Sequence, residues 1–518
     1  MLSMSDSLPF PPCPKPFNMA AHVLGRAAPL GDKIALRVVA KDAATSDESF
    51  SYSQLKRAVL GTATGLLNEG LKPGDIVLMR LGNTPDFPIG YLGALAAGLV
   101  PVPTSAALTE TEVARIIADL APCLVMRDPN LQSAPGPREV LLKTLRDWHD
   151  LPPAKWHMGD PDRLGYVIYT SGTSGHPRAV AHAHRAIWAR QMMHQGWYGL
   201  GPDDVMMHAG AFNWTYTLGT GLMDPWTLGA TALICAPGTA LDRLPHLLTR
   251  ECATIFAAAP GVYRRMLASS AKIRAPNLRH GLSAGEKLPI STHAAWTKAT
   301  GTPLLEAYGM SECSTFISAS PGVSCSPETL GRPQPGRKLA ILGPDGPVST
   351  GTPGIISVHR DDPGLMLGYL HQPGETAQKF QGEWFLTGDI GKMAADGQIT
   401  YLGRNDDMMN AGGFRVSPVE VEAALAEAPG LTGVGAAEVE VKAGTRIIVA
   451  FYTGPAPLDE AALRDYVRHR LAIYKQPRAY LHVPSLPTGA NGKLLRRRLP
   501  AFWRTSEKGP KHVRTGQA

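Results

Sequence analysis

Cysteine and charge are both sparse in this chain, and it has no long apolar run. The six cysteines are scattered through 518 residues without Cys-x-x-Cys spacing, which argues against a disulfide framework and favours reduced thiols. The longest largely apolar run, 89–100, lies between two prolines and is too short to cross a bilayer. The proline-rich start of the chain also lacks an apolar signal core. We therefore expect a cytoplasmic protein without stable membrane insertion.

The composition and length of the chain indicate a globular protein of more than one domain. Hydrophobic residues make up 44% and charged residues 18% of the sequence, which excludes an intrinsically disordered chain. The net charge of +7 suits polyanionic small molecules. The basic residues are dispersed and lack interleaved aromatics, so we expect no nucleic-acid partner. The length predicts two or more domains, and we expect a monomer or a homodimer.

A loop rich in hydroxyl groups and glycine carries the first functional signal. A buried strand, 164–169, is predicted before it and a helix, 183–195, after it. Its glycines allow close approach of an anion, and its N–H and hydroxyl groups form a concave set of donors for phosphate oxygens. The positive end of the predicted helix adds to this attraction. We call these residues the hydroxyl loop and expect them to bind a nucleotide: Thr170, Ser171, Gly172, Thr173, Ser174 and Gly175.

Taken alone, the hydroxyl loop does not decide between a phosphate site and an ordinary turn. It is not a Walker A motif, because no Lys-Ser or Lys-Thr pair follows its second glycine. Glycine and hydroxyl residues are equally typical of ordinary turns. His182 and His184 follow it two residues apart, but local packing explains this pair better than a metal site does.

The order of predicted elements indicates an α/β body followed by a smaller module. Helices and strands alternate through the first third, including helices at 53–69 and 110–120, which favours parallel sheets covered by helices. A capping box at 417–420 opens a helix predicted to run to Gly430. Two antiparallel strands, a helix and a further strand follow it. We predict a large N-terminal domain, 1–405, and a small α+β C-terminal lid domain, 406–518.

Six further segments, together with the hydroxyl loop, resemble the adenylate-forming superfamily of acyl-CoA synthetases, aryl-CoA ligases, adenylation domains and luciferases. Each short motif by itself also occurs in unrelated proteins, but seven motifs in the family's order are not expected by chance. The resemblance spans nearly the whole chain and implies the superfamily's fold, in which the lid is mobile. The six segments are 283–288, 308–312, 384–389, 403–407, 410–418 and 486–493.

The resemblance implies a role for each matching residue in holding ATP and Mg²⁺. The ring of Tyr308 stacks on adenine, Ser311 meets phosphate and Glu312 holds Mg²⁺, for which a hard oxygen ligand is suitable. Asp389 accepts hydrogen bonds from both ribose hydroxyls, since a carboxylate offers two oxygens. The remaining residues expected at the nucleotide are Gly285, Glu286, Lys287, Gly309, Met310 and Arg404.

The resemblance also implies a moving lid that carries a catalytic lysine. Asp406 corresponds to the hinge, and Lys493 to the lysine that bridges the attacking carboxylate and the α-phosphate. Gly413 and Arg415 correspond to positions that face the active site in the thioester-forming and adenylating arrangements, respectively. Arg178 is a further catalytic candidate, although the family usually has Pro-Lys-Gly where this chain has Pro-Arg-Ala. Arginine keeps the charge but has a bulkier planar head.

The identity of the acid is the least determined part. The segments 212–219 and 224–230 resemble the acyl pocket of medium-chain acyl-CoA and benzoate-type ligases. Trp214 and Tyr216 are candidates for the wall of this pocket and Ala284 for its floor, although Trp214 is almost equally well explained as a core residue.

The resemblance predicts an ATP-dependent acid–CoA ligase that activates a medium-chain or aromatic carboxylate as acyl-AMP and transfers the acyl group to coenzyme A. Two alternatives stay open. One is a stand-alone adenylating enzyme that loads a carrier protein. The other is a catalytically silent nucleotide-binding regulator, against which the presence of Glu312, Asp389 and Lys493 argues.

Overall fold

The fold is taken from a computed structural model. It describes residues 1–5, 10–42, 46–170, 178–270, 272–405, 407–411, 414–442, 445–468, 470–471, 473–489 and 492–506, with the backbone alone described at 410, 411, 414, 415, 442, 445 and 474. The chain divides into two compact units. The larger unit contains residues 5–339 and 358–385, and the smaller unit contains 1–4, 340–357 and 386–518. The domain boundary predicted between 405 and 406 stays a prediction.

The helices and strands below are those of the described residues. The helices are α1 (Met19–Val23), α2 (Ala27–Leu30), α3 (Tyr52–Asn68), α4 (Asp86–Ala96), α5 (Glu110–Leu120), α6 (Leu142–Asp147), α7 (Ala186–Ala189), α8 (Gln191–Met193), α9 (Asp224–Leu228), α10 (Leu244–Arg250), α11 (Pro260–Ser269), α12 (Ile290–Thr300), α13 (Pro373–Ala377), α14 (Pro418–Leu425), α15 (Glu460–Arg468) and α16 (Leu499–Thr505). The strands are β1 (Ile34–Val39), β2 (Glu48–Ser51), β3 (Ile76–Arg80), β4 (Val100–Pro103), β5 (Leu124–Arg127), β6 (Glu139–Leu141), β7 (Leu164–Thr170), β8 (Arg178–Ala183), β9 (Val205–His208), β10 (Thr231–Cys235), β11 (Ile255–Ala258), β12 (His280–Ala284), β13 (Leu304–Met310), β14 (Ser314–Ser318), β15 (Arg332–Pro333), β16 (Leu339–Gly343), β17 (Gly346–Pro347), β18 (Gly354–His359), β19 (Gly368–Tyr369), β20 (Phe380–Gln381), β21 (Trp384–Met393), β22 (Ile399–Arg404), β23 (Met409–Ala411), β24 (Phe414–Val416), β25 (Gly433–Lys442), β26 (Thr445–Thr453) and β27 (Ala479–His482).

Helix-covered parallel sheets form the body of the larger unit, which confirms the predicted α/β class. One sheet has the strand order β15-β14-β13-β12-β11-β9-β10-β1-β2, and its pairs from β1 to β13 are parallel. A second sheet has the order β4-β3-β5-β6 and is parallel throughout. Ligands of such sheets bind outside the carboxyl ends of the strands. The segments predicted at adenine and phosphate follow β12 and include the end of β13.

The helix predicted at 183–195 is present from Ala186, but a strand that the sequence analysis did not predict separates it from the hydroxyl loop. Residues 178–183 form strand β8, which pairs antiparallel with β7 on one side and with β19 on the other. Helix begins only at Ala186, and it is broken into α7, α8 and a short π-helical stretch. The alanines of β8 are buried between two neighbouring strands, so tertiary pairing overrides their helical propensity. The loop therefore joins two strands, and no helix N-terminus directly after it attracts the anion.

The smaller unit contains the compact α+β module that the sequence predicts. The antiparallel pair β25–β26 and the parallel pair β26–β27 are present, with Leu463 of α15 buried against them. Ser417 caps α14 by accepting from the Glu420 N–H at 3.2 Å. That helix ends at Leu425, earlier than the predicted Gly430. Within the described part of the chain, no helix is both long and apolar enough to span a membrane.

Candidate active site

The structure describes only some of the predicted site residues. The hydroxyl loop lies outside the described residues except for Thr170, which ends β7. Asp406 and Gly413 also lie outside them, and Arg415 is described only as backbone in β24. The roles predicted for all these residues stay predictions. The remaining site residues are described, in the larger unit (Arg178, Trp214, Tyr216, Ala284, Gly285, Glu286, Lys287, Tyr308, Gly309, Met310, Ser311, Glu312) and in the smaller unit (Asp389, Arg404, Lys493).

Arg178 and Glu312 are linked by a tyrosine that the sequence analysis missed. The Tyr369 hydroxyl donates to Glu312 Oε1 at 2.8 Å. The guanidinium carbon of Arg178 lies 5.1 Å from the centre of the Tyr369 ring, a cation–π contact. Arg178 Nε also donates to Glu375 Oε2 at 2.7 Å. A guanidinium, a phenol and two carboxylates therefore form one continuous polar group.

Strand pairing brings this group together from distant parts of the sequence. Tyr369 lies opposite Val180 in the β8–β19 pair, and Met366 N–H donates to the Glu312 carbonyl at 2.7 Å. Burial and the adjacent Glu312 carboxylate raise the pKa of the Tyr369 phenol, so its hydroxyl stays a donor. In the sequence, Tyr369 is signalled only by a Gly-Tyr pair ahead of a proline-led helix start, which carries no chemistry by itself.

The Tyr-Gly-Met-Ser-Glu motif forms the end of β13 and the turn into β14. A Cβ at Gly309 would lie 2.1 Å from the Ser314 carbonyl oxygen, so only glycine permits this approach of the two backbones. Tyr308 packs edge-on against Phe316, with ring centroids 5.3 Å apart. The motif is thus held by backbone proximity on one side and by Tyr369 at its carboxylate.

The two histidines after the hydroxyl loop are buried. The His182 ring stacks on Tyr166 at 4.8 Å, and its Nε2 lies 2.7 Å from the Ser311 carbonyl oxygen. His184 Nδ1 accepts from the Met19 N–H at 3.1 Å. Burial lowers the pKa of His182 to about 4 and of His184 to about 3, so both rings are neutral at neutral pH. Burial and hydrogen bonds to the backbone therefore engage both side chains. The described residues contain no group of three or more His, Cys, Asp or Glu suited to a metal ion.

The predicted adenine segment begins where β12 ends, beside the predicted acyl pocket. Gly285 has φ +96°, and a Cβ there would lie 2.6 Å from Cζ2 of the Trp214 indole. Both the backbone conformation and the neighbouring ring therefore require glycine. The preceding residue, Ala284, is buried in the apolar cluster that also contains Tyr216 and has Trp214 packed against it.

Aromatic rings and one hydrogen bond order this apolar cluster. The rings of Trp214 and Tyr216 meet edge to face with centroids 5.4 Å apart. The Tyr216 hydroxyl donates to the Leu282 carbonyl of β12 at 2.9 Å, which satisfies its buried polar atom. The structure thus brings together the three residues predicted to line the acyl pocket.

Lys287 takes part in an internal ion pair. Its Nζ lies 2.6 Å from Glu306 Oε2 and 3.2 Å from the Thr329 carbonyl. Leu288 N–H donates to the other Glu306 oxygen at 2.8 Å. Burial raises the pKa of Glu306, while Lys287 opposes the shift. These contacts fix the segment after β12 onto β13, and the nucleotide roles of Lys287 and the half-buried Glu286 stay predictions.

In the smaller unit, the two predicted ribose residues lie side by side. Asp389 of β21 is directly opposite Arg404 of β22 in the strand register, and Arg404 Nη1 lies 3.2 Å from Asp389 Oδ1. Antiparallel pairing therefore sets the spacing of the carboxylate and the guanidinium. Burial and the Asp389 carboxylate raise the pKa of the neighbouring Tyr401.

Lys493 is exposed in a turn that its own backbone closes. Gly489 N–H donates to the Lys493 carbonyl at 2.8 Å. Three residues later, Arg496 Nε donates to Glu422 Oε1 of α14 at 2.7 Å. One backbone hydrogen bond thus holds Lys493 directly, and the ion pair of Arg496 fixes the chain just after it, while Lys493 itself is exposed.

Comparisons with known proteins match this arrangement over both parts of the chain. The family model described as AMP-binding enzyme matches residues 25–370. A second model, described as AMP-binding enzyme C-terminal domain, matches residues 420–493 and so ends on the predicted catalytic lysine.

Individual relatives match across nearly their full length. A benzoate–CoA ligase from Thauera aromatica is 30% identical across an alignment that covers 96% of this chain and 99% of the relative. The solved anthranilate CoA ligase AuaEII in complex with anthranoyl-AMP is 25% identical, with a TM-score of 0.84 over 95% of this chain and 98% of its own. ATP-bound MatB from Rhodopseudomonas palustris is also 25% identical, with a TM-score of 0.84 over 94% and 99% of the two chains. Matches of this extent, on a site built from the family's motifs, establish that the chain belongs to the family of AMP-binding, adenylate-forming enzymes.

Proposed function

We propose that this protein is an ATP-dependent acid–CoA ligase. A carboxylate attacks the α-phosphate of ATP and forms acyl-AMP with release of pyrophosphate; the acyl group is then transferred to the thiol of coenzyme A with release of AMP. The observation that carries the proposal is the junction of Ala284 and Gly285. At this point an apolar cluster with Trp214 and Tyr216 continues directly into the segment predicted at adenine. An acid seated in that cluster has its carboxylate next to the nucleotide.

The substrate class we propose is an aromatic carboxylate, with a medium-chain fatty acid as the alternative. Two of the relatives described above are named for benzoate and anthranilate, and both are CoA ligases. The edge-to-face rings of Trp214 and Tyr216 offer a flat acid the geometry that aromatic pairs prefer. The names of these relatives also favour coenzyme A over a carrier protein as the acceptor.

The chemical task is to bring a carboxylate and a polyphosphate together, which requires positive charge and fixed geometry. We propose that Arg178 neutralises phosphate charge. Its ion pair with the exposed Glu375 is a surface pair of low net stability, so the guanidinium can exchange this carboxylate for a phosphate. Lys493 supplies the ammonium that approaches the attacking carboxylate. A magnesium ion, when bound, neutralises phosphate oxygens, and the single Glu312 carboxylate suits a metal that keeps phosphate and water as its other ligands. Tyr369 orients that carboxylate by donating to Oε1.

One assay separates the proposal from its alternatives. The full chain is incubated with ATP, Mg²⁺ and a panel of benzoates and medium-chain acids, and pyrophosphate, AMP and thioester are measured with coenzyme A or a phosphopantetheinylated carrier protein as acceptor. We expect acid-dependent pyrophosphate release and a thioester with coenzyme A. Thioester on the carrier alone would favour the stand-alone adenylating enzyme. An absence of pyrophosphate release with every acid would refute the ligase.

Lys493→Ala tests the role of the lysine within the same assay. We expect it to lose pyrophosphate release but to form thioester from a supplied acyl-adenylate. The exposed Lys298 of α12 belongs to no predicted motif, so Lys298→Ala is the matched control and should keep both half-reactions. The opposite pattern for Lys493→Ala, adenylation kept and thioester formation lost, would show that its role is assigned to the wrong half-reaction.

A further inference from the structure

A buried histidine reaches the Tyr-Gly-Met-Ser-Glu motif from the strand that follows the hydroxyl loop. His182 lies in β8, on the same side of the strand as Arg178, because side chains alternate between the two faces. Its Nε2 is 2.7 Å from the carbonyl oxygen of Ser311. That carbonyl belongs to the residue immediately before Glu312, the predicted magnesium ligand. One face of β8 is therefore linked to two consecutive residues of the motif. His182 contacts Ser311 directly, and Arg178 is linked to Glu312 through Tyr369.

The contact with a carbonyl fixes the tautomer of the ring. A carbonyl oxygen only accepts hydrogen bonds, so the neutral imidazole must carry its proton on Nε2 and donate it to Ser311. His182 is 2% exposed, and stacking on Tyr166 at an interplanar angle of 14° holds the ring in this orientation. The donor is thus preorganised before any ligand binds.

A small cavity adjoins the motif. Its volume is about 20 Å³, and it is lined by polar side chains (Tyr91, His182, Arg190, Ser311, Ser314) and by apolar ones (Ala186, Leu218, Met223). Atoms that face this cavity lose part of the van der Waals contact that a filled core would provide. His182 Nδ1 and the Tyr91 hydroxyl are both buried without a hydrogen-bond partner among the described residues.

A second, partly buried contact holds the other end of the same turn. Arg190 Nη1 donates to Ser314 Oγ at 2.5 Å, and Ser314 has φ +61°, a conformation that residues other than glycine adopt at a cost. Arg190 is itself fixed by Asp224, to which it donates at 2.9 and 2.6 Å. The turn between β13 and β14 is therefore strained and is held at both ends by groups from the segment after the hydroxyl loop.

From these contacts we propose that His182 is a positioning residue for adenylation: its hydrogen bond to the Ser311 carbonyl sets the backbone that places Ser311 and Glu312 at the phosphates of ATP. The inference rests on the proposed function. It concerns the first half-reaction only, because transfer of a formed acyl-adenylate to coenzyme A no longer needs the pyrophosphate end of ATP to be held.

Three substitutions at one position separate this hydrogen bond from simple packing. His182→Leu removes the donor at similar volume, and His182→Asn has an amide near the Nδ1 position and not the Nε2 position. In both we expect pyrophosphate release to fall about 10- to 100-fold, the usual range for residues that orient a metal ligand, and Mg²⁺-dependent binding of ATP to weaken. Thioester formation from supplied acyl-adenylate should stay within about threefold of the wild type. His182→Gln places a donor near Nε2 and should recover most of the adenylation.

His280 provides the matched control. It is also a buried imidazole whose Nε2 lies 2.8 Å from a backbone carbonyl, but that carbonyl belongs to Tyr198, outside the motif. His280→Leu should lower the melting temperature about as much as His182→Leu while leaving the ratio of the two half-reactions unchanged. If His182→Leu does not fold, His182→Asn and His182→Gln provide the same comparison.

The outcomes distinguish the inference from the function on which it rests. Equal loss of both half-reactions, with no recovery in His182→Gln, would reduce His182 to a structural residue. Adenylation within twofold of the wild type in His182→Leu and His182→Asn would also overturn the proposal, while the ligase activity stands. If the wild type adenylates no acid, the proposed function fails. Calorimetry of ATP and Mg²⁺ binding to the same variants then decides the positioning role, with unchanged binding refuting it.

Discussion

Replacing Gly285 by alanine tests whether the junction between the adenine segment and the acyl cluster is as tightly specified as the structure indicates. The new methyl group would lie 2.6 Å from Trp214 Cζ2, and the residue would have to keep φ +96°. A left-handed backbone costs a residue with a Cβ about 1–2 kcal/mol. An extra methyl group in a packed site costs about 1–3 kcal/mol more. We therefore expect Gly285→Ala to lower the free energy of unfolding by about 2–5 kcal/mol, as the sum of these two terms.

The two contributions can be measured separately. Gly301 ends α12 with φ +75° and has no atom within 4 Å of its would-be Cβ, so Gly301→Ala reports the backbone term alone. The double variant Gly285→Ala/Trp214→Ala removes the overlap but keeps the backbone strain. In a double-mutant cycle we expect a favourable coupling of about 1–3 kcal/mol, equal to the packing term.

The cycle also needs the single variant Trp214→Ala. Urea unfolding followed by tryptophan fluorescence measures all four variants, and pyrophosphate release measures the effect on nucleotide use. A cost for Gly285→Ala no larger than that for Gly301→Ala would show that the indole does not occupy this position in solution. Zero coupling in the cycle would lead to the same conclusion. Either result would remove the geometric basis for placing the acyl cluster next to adenine.

Two further predictions concern buried charge. Burial lowers the pKa of His208 and of His184 to about 3 and of His182 to about 4, so these rings stay neutral in the fold while the unfolded chain takes up protons below pH ~6.5. The free energy of unfolding is therefore expected to fall as the pH falls from about 6.5 toward 4, by up to about 4 kcal/mol per pH unit for the three histidines together. An unchanged urea midpoint between pH 7 and pH 5 would contradict this. Asp224→Asn leaves the buried guanidinium of Arg190 without its counter-charge and should lower the free energy of unfolding by about 3–5 kcal/mol. Replacing both partners by leucine should lower it less than the single change does. A loss below about 1 kcal/mol for Asp224→Asn in urea unfolding would argue against burial of this ion pair.

Local signals in the sequence predict elements well where the cause of the element is local. Helix α5 has its predicted bounds because Thr109 and Glu112 form a capping box at its start and apolar residues follow at helical spacing. The strands β25 and β26 follow from a continuous β-forming pattern around a turn. In each case a few neighbouring residues contain all the necessary information.

Prediction fails where partners distant in sequence decide the structure. No strand is predicted at 178–183, where three of the six residues are alanine, but the segment forms β8 because β7 and β19 provide hydrogen-bond partners on both sides. The same limit explains why Tyr369 was missed: it meets Glu312 across 57 residues and Arg178 across the β8–β19 pair. The motifs identify the residues that touch ligands, whereas the residues that orient them have no pattern of their own.

The close approach at Gly309 has a consequence for attempts to change which acid the enzyme accepts. Its would-be methyl group meets a carbonyl oxygen of the main chain, and no second substitution can move that atom aside. The would-be methyl group at Gly285 meets only the indole of Trp214, which a second substitution can shorten. A mutant library that aims at new acids should therefore vary residues 214 and 285 together. Substitutions at 309 are expected to prevent folding, so this position should be left unchanged.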